Sequence, residues 1–189
     1  MKVQNYTFHD DRLTIGILSD SHGVTDPAVI DVIAQCDLAI HAGDIMDESV
    51  LTDIQNHTRL LAVAGNNDRH LRWSADSKEV DEPLPDIIRI RLPSGTIAVE
   101  HGHRHGHVQP EHRKLIAAHP DARAIIYGHT HKQLIDQAQT PWILNPGAAG
   151  HIRNHGGPKC MVLHVDVEQW RAIPHNFQVE CPEAVPALC

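Results

Sequence analysis

Three segments in the first third of the chain decide the fold: LTIGILSDSH at residues 13–22, LAIHAGD at 38–44 and LLAVAGNND at 60–68. Each begins with a short apolar run and ends in small or polar residues such as Ser, Gly, Asp and Asn. Short apolar runs that are bounded by turn residues are typical of buried strands. The predicted strands cover residues 13–18, 38–42 and 60–64.

The segments between these strands have helical patterns. Residues 26–35 begin with Asp26 as a helix N-cap and Pro27 at the first helical position, and apolar residues follow at helical spacing. A second helix is predicted over 47–56. The order strand, helix, strand, helix, strand requires long connections, so the three strands are expected to be parallel.

The second half of the chain has a mixed pattern. Residues 68–86 are charged, contain two prolines and show no clear period, which indicates a surface excursion. A Pro-Ser-Gly turn between two apolar runs predicts an antiparallel hairpin. The predicted elements are the hairpin strands 87–92 and 96–100, a helix over 111–119, a strand over 124–127 and a final strand pair over 160–167 and 170–177. We expect one domain over 1–189, with a flexible leader at 1–12 and a flexible tail at 181–189.

The composition excludes several classes of protein. A length of 189 residues is enough for one ordinary domain, and a net charge of −8 disfavours a protein that coats nucleic acid or an acidic membrane surface. No apolar run approaches the roughly 20 residues of a membrane-spanning helix, and residues 1–12 lack the apolar core of a signal peptide. The four cysteines form no CxxC pair, so a disulfide framework and a thiolate zinc site are not indicated. A cytoplasmic location is expected.

Histidine is unusually frequent, with 17 copies against 16 for lysine and arginine together. Histidine binds metals and titrates near neutral pH, so this excess favours metal or acid–base chemistry over a merely solvated surface. Five strand-like runs end in polar groups, and in α/β sheets the carboxyl ends of neighbouring strands build the functional site. The groups are Asp20 and His22, Asp44, Asn66 or Asn67, His101 or His103, and His129 with His131.

The ordered set D-x-H, G-D, G-N-x-D, H-G-H, G-H-T-H resembles the calcineurin-like metallophosphoesterase superfamily, in particular its small single-domain phosphodiesterase branch. The resemblance spans residues 13 to about 166. It implies an α/β fold in which two mixed β-sheets pack as a sandwich flanked by helices, the four-layer metallophosphoesterase fold.

The resemblance also implies a binuclear metal centre and a reaction. Asp20, His22 and His131 would bind a first metal, Asn66, His101 and His129 a second, and Asp44 would bridge the two. A nitrogen and oxygen ligand set without thiolate suits Mn, Fe, Co, Ni or Zn, and the resemblance favours Mn. The implied activity is hydrolysis of a phosphodiester by a hydroxide that bridges the metals.

Three further residues are assigned roles in catalysis or substrate binding. Many members of the superfamily have a His after the Asn of G-N-x-D, which protonates the leaving group; here Asn67 stands in that position and is expected to bind the phosphate. His103 is the candidate replacement acid. Arg153 is expected to pair with the substrate phosphate.

Expectations for the neighbouring residues are less specific. Asp68 is expected to orient a neighbouring His or to cap the next segment. Ala148 stands where the family more often has Ser, so a hydroxyl role is absent there. The remaining histidines are expected at the surface or in loops; among them are His105, His107, His112, His119, His151 and His155.

Alternative functions remain open at this point. The chain could be a phosphomonoesterase, a non-catalytic interaction module on the same fold, or a His-rich metal-storage protein. The expected partner is a small phosphoester substrate. Binding to a membrane and strong binding to nucleic acid are not expected. Self-association into a homo-oligomer is expected from the related small phosphodiesterases.

Overall fold

The computed structural model describes residues 1–72 and 82–178. Eleven strands and three α-helices occur in these ranges. The strands are β1 (Val3–Thr7), β2 (Arg12–Leu18), β3 (Leu38–His41), β4 (Arg59–Ala62), β5 (Ile87–Leu92), β6 (Gly95–Glu100), β7 (Ala124–Ile126), β8 (Leu134–Asp136), β9 (Trp142–Asn145), β10 (Lys159–Asp166) and β11 (Trp170–Asn176). The helices are α1 (Pro27–Ile33), α2 (Glu48–Gln55) and α3 (His112–Ala118).

The strands form two mixed sheets. A five-stranded sheet has the order β11-β10-β2-β3-β4, and a six-stranded sheet has the order β1-β5-β6-β7-β9-β8. Strands β2, β3 and β4 are parallel, and β5 and β6 form the predicted antiparallel hairpin. The predicted final pair is confirmed as well, since β10 and β11 are antiparallel neighbours.

The two sheets face each other across the main hydrophobic core. Ile15 and Ile40 of one sheet and Ile90 and Val99 of the other belong to the same buried cluster. Separate clusters lie on the outer faces, where α1 and α2 cover the five-stranded sheet and α3 covers the six-stranded sheet. The molecule therefore has four layers in the order helices, sheet, sheet, helix, as the resemblance implied.

The helix starts follow the sequence signals. Asp26 is the N-cap of α1, and its side chain accepts a hydrogen bond of 2.9 Å from the backbone N–H of Ala28. Asp47 caps α2 in the same way through the N–H of Ser49. These caps satisfy backbone donors that would otherwise lack a partner. No helix in residues 1–72 and 82–178 has the length and apolar character needed to cross a membrane.

The structure differs from the prediction in the leader and at three short strands. Residues 3–7 of the expected flexible leader form β1, which pairs in parallel with β5 at the edge of the six-stranded sheet. Strands β1, β8 and β9 were not among the strands predicted from the pattern; β8 has three residues and β9 has four, too few for periodicity to be visible. Residues 73–81 of the expected excursion and the tail 181–189 lie outside the described residues.

Candidate metal centre

Loops from both sheets meet at one edge of the sandwich. Asp20 and His22 follow β2, Asp44 follows β3 and Asn66 follows β4, all in the five-stranded sheet. His101 follows β6, and His129 and His131 follow β7, in the six-stranded sheet. The candidate ligands therefore come from two facing sheets. The strand ends had suggested that all of them lie at the edge of one sheet, which is correct for only part of the site.

Five of the seven candidate ligands have a left-handed backbone. The φ angles are 54° at Asp20, 49° at His22, 55° at Asp44, 70° at His129 and 58° at His131. This conformation is costly for residues other than glycine and persists where the surrounding structure imposes it, commonly at functional sites.

A first group of ligand atoms comes from Asp20, His22 and His131, and all three atoms lie within 4.8 Å of one another. His131 Nε2 lies 3.4 Å from Asp20 Oδ1 and 3.0 Å from His22 Nε2. Asp20 is fully buried, and its carboxylate also accepts hydrogen bonds from the Ser19 hydroxyl and the backbone N–H of His129. Two imidazoles and one carboxylate thus converge on one point, which is a donor set for a divalent transition metal.

A second group consists of Asp20, Asp44 and His101. His101 Nε2 lies 3.5 Å from Asp44 Oδ1 and 4.0 Å from Asp20 Oδ1. Asp20 is common to both groups, whereas the resemblance gives the shared role to Asp44. The Asp44 carboxylate accepts hydrogen bonds from the backbone N–H and the side-chain amide of Asn67, at 3.0 and 2.8 Å. The bridging role of Asp44 therefore stays a prediction.

The remaining two candidate ligands lie beside the second group. The ring of His129 is 5.3 Å from the ring of His101, measured between centroids. Asn66 Oδ1 and His101 Nε2 are buried and have no hydrogen-bond partner. Buried polar atoms are normally paired, and an unpaired acceptor costs about 1–3 kcal/mol. A divalent cation would satisfy both atoms, so these residues fit a metal.

Hydrogen bonds to the outer ring nitrogens orient the histidines. His101 Nδ1 is 2.8 Å from the carbonyl oxygen of Ala42, and His131 Nδ1 is 3.1 Å from that of Ile152. His129 uses the other nitrogen, since its Nε2 is 2.8 Å from the carbonyl oxygen of His107. A ring N–H that donates to a carbonyl leaves the other nitrogen with a free lone pair. His101 and His131 thus offer Nε2 to a metal, and His129 offers Nδ1.

Burial and charge shift the pKa values within the site. Burial raises the pKa of Asp20 to about 7, against the opposing effect of His101. Burial disfavours the charged form of His101, but the contact with Asp44 and the charges of both carboxylates outweigh it and raise the pKa to about 9. The same contact with His101 holds the pKa of Asp44 below its ordinary value despite burial. Without a cation, the imidazolium of His101 balances the negative charge that the carboxylates bring into the interior. A cation bound at Nε2 would displace the proton from that nitrogen and supply the positive charge in its place.

The predicted substrate-binding and catalytic residues surround these ligands. The ring of His103 lies 5.5 Å from that of His101 between centroids, and its buried Nδ1 has no partner. Burial lowers the pKa of His103 to about 4, so its imidazole is neutral at neutral pH. Arg153 Nη2 lies 3.4 Å from His131 Nε2, next to the first group. Asn67 is exposed, but its amide is bonded to Asp44.

The expectation that Asp68 orients a neighbouring histidine is wrong. The Asp68 carboxylate accepts hydrogen bonds from the backbone N–H groups of Ile45, Met46 and Gly65, at distances between 2.8 and 3.1 Å. It thereby ties the loop after β3 to the loop after β4. Asp68 orients the chain around Asp44 and Asn66 through the backbone.

His119 lies in the loop after α3, one of the two expected places, but it is not at the surface. Only 2% of His119 is exposed, and its Nε2 lies 2.7 Å from Oε1 of the buried Glu100. Glu100 also contacts His105 Nε2 at 2.9 Å and Arg104 Nη2 at 3.2 Å. Because Glu100 directly precedes His101, this cluster holds the loop that carries His101 and His103. The spacing of four residues between Leu115 and His119 was the available signal, since in a helix over 111–119, as the sequence predicts, both would share one face; in the structure His119 is the residue that ends α3.

Two further residues lie near the site: Asn145, in the loop that the resemblance places over the metal edge, and His41, which was missed. The Asn145 side-chain amide donates to the carbonyl oxygen of Gly128, at 2.8 Å, and to the Thr130 hydroxyl, at 3.1 Å. The buried His41 contacts the Ser21 hydroxyl at 3.0 Å, and burial lowers its pKa to about 3. Both residues brace the loops that carry the candidate ligands.

The fold and the motifs match known proteins. A family model for the calcineurin-like phosphoesterase superfamily domain matches residues 13–168. A probable metallophosphoesterase of Methanothermobacter thermautotrophicus is 26% identical over 162 residues, which cover 83% of this chain and 88% of that protein. A phosphodiesterase of Methanocaldococcus jannaschii is 24% identical over 171 residues, or 85% of this chain and 98% of that protein.

Solved structures share the architecture. Vacuolar protein sorting 29 from Cryptosporidium parvum matches with a TM-score of 0.72 and 15% sequence identity, over 90% of this chain and 100% of that chain. At this identity the similarity shows a common fold.

Proposed function

Because the chain belongs to the calcineurin-like phosphoesterase superfamily, we propose that it is a phosphodiesterase that works with two divalent cations. The observation that carries this proposal is the pair of buried, unpartnered ligand atoms, Asn66 Oδ1 and His101 Nε2, beside a cluster of acidic and histidine side chains. The proposed ligands are the seven residues that the resemblance selected: Asp20, His22, Asp44, Asn66, His101, His129 and His131.

The chemistry combines the cations with side chains of the protein. Two bound divalent cations activate water as a nucleophile near neutral pH and polarise the phosphoryl oxygens during in-line attack. Arg153 offers a guanidinium next to His131, where it can donate to a phosphoryl oxygen. Asn67 is exposed beside Asp44, where its amide can turn to a phosphate oxygen.

Two cavities support a diester over a monoester. One, of about 480 Å³, is lined by Asn66 and His103, and the other, of about 270 Å³, is lined by His129 and His131. A diester carries a substituent on two of its oxygens, so both substituents would find space next to the candidate ligands. The phosphodiesterase of M. jannaschii is a relative that bears this activity in its name.

Metal reconstitution tests the proposal. We expect chelator-treated protein to be inactive and to recover hydrolysis of bis(p-nitrophenyl) phosphate with Mn, the metal that we propose, and to differing degrees with Fe, Co, Ni or Zn. Metal analysis should find two ions per chain, and kcat/KM should be higher for this diester than for p-nitrophenyl phosphate. Metal binding without hydrolysis would favour an interaction module, and many weakly bound ions would favour metal storage.

We also propose that His103 assists the leaving group. It lies beside the second ligand group, and the negative charge of a bound phosphate favours its protonated form. A general acid matters most when the leaving group is a strong base, and it contributes roughly 100-fold or more. His103→Ala should therefore lower kcat about 100-fold for a thymidine dinucleotide, whose leaving group is an alkoxide, and less than about tenfold for bis(p-nitrophenyl) phosphate.

The control for this test is His57→Ala. His57 is exposed and lies next to α2, away from the candidate ligands, so the variant should keep both activities. Equal losses for the two substrates in His103→Ala would remove His103 from the acid role.

A further inference from the structure

The cavity beside His129 and His131 has a cationic wall. Lys132, Arg153 and His155 line it together with the two candidate ligands. Among the described residues that line it there is no carboxylate. Neither Lys132 nor Arg153 forms an ion pair with a carboxylate in residues 1–72 and 82–178. Neither charge is therefore neutralised by a carboxylate of these residues. The guanidinium of Arg153 has several N–H donors and can serve a second phosphate group as well as the one at the candidate ligands.

The second cavity differs in its charges. Its wall combines the cations Lys2, Arg69 and Arg104 with the carboxylates of Asp68 and Asp86. Arg104 is paired with Asp86, at 3.0 Å, and with Glu100, at 3.2 Å, and Lys2 is paired with Glu82. A strongly anionic group would meet carboxylates there. The cavity beside Lys132 and Arg153 has no carboxylate among its described lining residues, so an additional anionic group is better placed on that side than near His103.

The loop that carries Arg153 and His155 is held in a defined conformation. Both residues have a φ of 50°, in the left-handed region. Lys159 is only 5% exposed, and its ammonium group donates to the backbone carbonyl oxygens of Asn154, His155 and Gly157. These three hydrogen bonds offset the cost of burying the ammonium group and hold the backbone of the loop in place. The cationic wall is therefore preformed.

We propose that this cavity binds a second phosphate group, carried by the part of the phosphodiester substrate that stays on the phosphorus after hydrolysis. The inference rests on the proposed function, since it names the class of diester: one whose retained alcohol bears a phosphomonoester. In the reaction, the oxygen of water bonds to phosphorus and the bond from phosphorus to the leaving oxygen breaks. The leaving group takes up a proton, and the retained product is a bisphosphate.

A binding measurement tests the subsite without requiring turnover. Titration calorimetry on the full chain loaded with Mn would compare thymidine 3′,5′-bisphosphate with thymidine 5′-monophosphate, which differ only in the second phosphate. We expect a Kd about tenfold lower for the bisphosphate, since one charge-assisted phosphate contact contributes on the order of a factor of ten. Lys132→Ala should reduce this ratio about threefold, and Lys132→Ala with Arg153→Ala should bring it close to one.

Two controls accompany the titration. Lys132→Arg should retain the ratio, and Lys114→Ala should also retain it, because Lys114 is an exposed lysine of α3 that pairs with Glu111. A ratio near one in the unmodified chain, or an unchanged ratio in the double variant, would overturn the inference.

Hydrolysis separates failure of the inference from failure of the proposed function. The substrates are thymidine 5′-(p-nitrophenyl phosphate) with and without a 3′-phosphate, which release the same p-nitrophenol. Hydrolysis of both without preference would leave the phosphodiesterase standing and refute the subsite. If the binding preference for the bisphosphate persisted but neither compound was hydrolysed, the subsite would stand and the phosphodiesterase would be refuted.

Discussion

Replacing Asp20 with Asn is expected to lower kcat/KM for a phosphodiester by about 1000-fold or more, equivalent to about 4 kcal/mol of transition-state stabilisation. Asp20 is the one residue common to both groups of ligand atoms, and its Oδ1 lies 3.4 Å from His131 Nε2 and 4.0 Å from His101 Nε2. Loss of its charge therefore affects both proposed cation positions. We expect metal analysis to find fewer than two ions per chain.

Asparagine is chosen because it preserves the fold. Its amide has the shape of the carboxylate and still offers an oxygen to the hydroxyl of Ser19 and the N–H of His129, the donors that hold Asp20 now. Asp53→Asn is the matched control, because Asp53 is an exposed acid on α2 and its removal changes the net charge equally. Full activity and full metal content in Asp20→Asn would contradict the proposed centre.

The sequence predicted the strand ends well because strong local signals mark them. Because apolar runs stop at Gly or Asp, Asp44 and His129 were predicted to follow strands directly. The packing of two sheets as a sandwich was implied by the resemblance. The pattern did not reveal which sheet each strand joins, since that depends on contacts between residues distant in the chain. The parallel pairing of β6 with β7 within the six-stranded sheet is such a contact.

The choice between neighbouring candidates shows a further limit. Sequence spacing left His101 and His103 equivalent, and the resemblance favoured His101. In the structure His101 is 1% exposed and faces two carboxylates, whereas His103 is half-buried on the following turn. The direction of each side chain depends on the left-handed Gly102 between them, whose φ is 96°. Such a backbone reversal has no periodic signature.

Residues that act through the backbone were the least predictable. Aspartate and lysine usually lie at the surface, yet Asp68 and Lys159 are both buried and form hydrogen bonds with several backbone groups. Their roles depend on where loops distant in the chain come together. The expectation that Asp68 would contact a histidine failed because the nearest unsatisfied donors were backbone N–H groups.

Gly128→Ala is expected to have the second large effect, on stability and on metal binding together. A Cβ atom at this position would lie 1.9 Å from the hydroxyl oxygen of Ser19, 2.9 Å from Asp20 Oδ2 and 3.0 Å from the carbonyl oxygen of Ala42. At these distances either the side chains of Ser19 and Asp20 or the loop with His129 and His131 must shift, and both displacements change the position of Asp20 relative to that loop. Overpacking of this kind costs about 1–3 kcal/mol, which lowers Tm by roughly 2–12 °C in a chain of this size.

The comparison with Gly156→Ala isolates the steric effect at the site. Gly156 has a φ of 99° but no heavy atom within 4 Å of an added Cβ, so its substitution carries backbone strain of about 1 kcal/mol and no collision. We expect Gly156→Ala to lose a few degrees in Tm and to keep both metal ions and activity. Gly128→Ala should lose metal ions as well, because the clash lies against Asp20. Calorimetry and metal analysis on the two variants measure this difference, and normal metal content in Gly128→Ala would show that the loop after β7 does not need its present distance from Asp20.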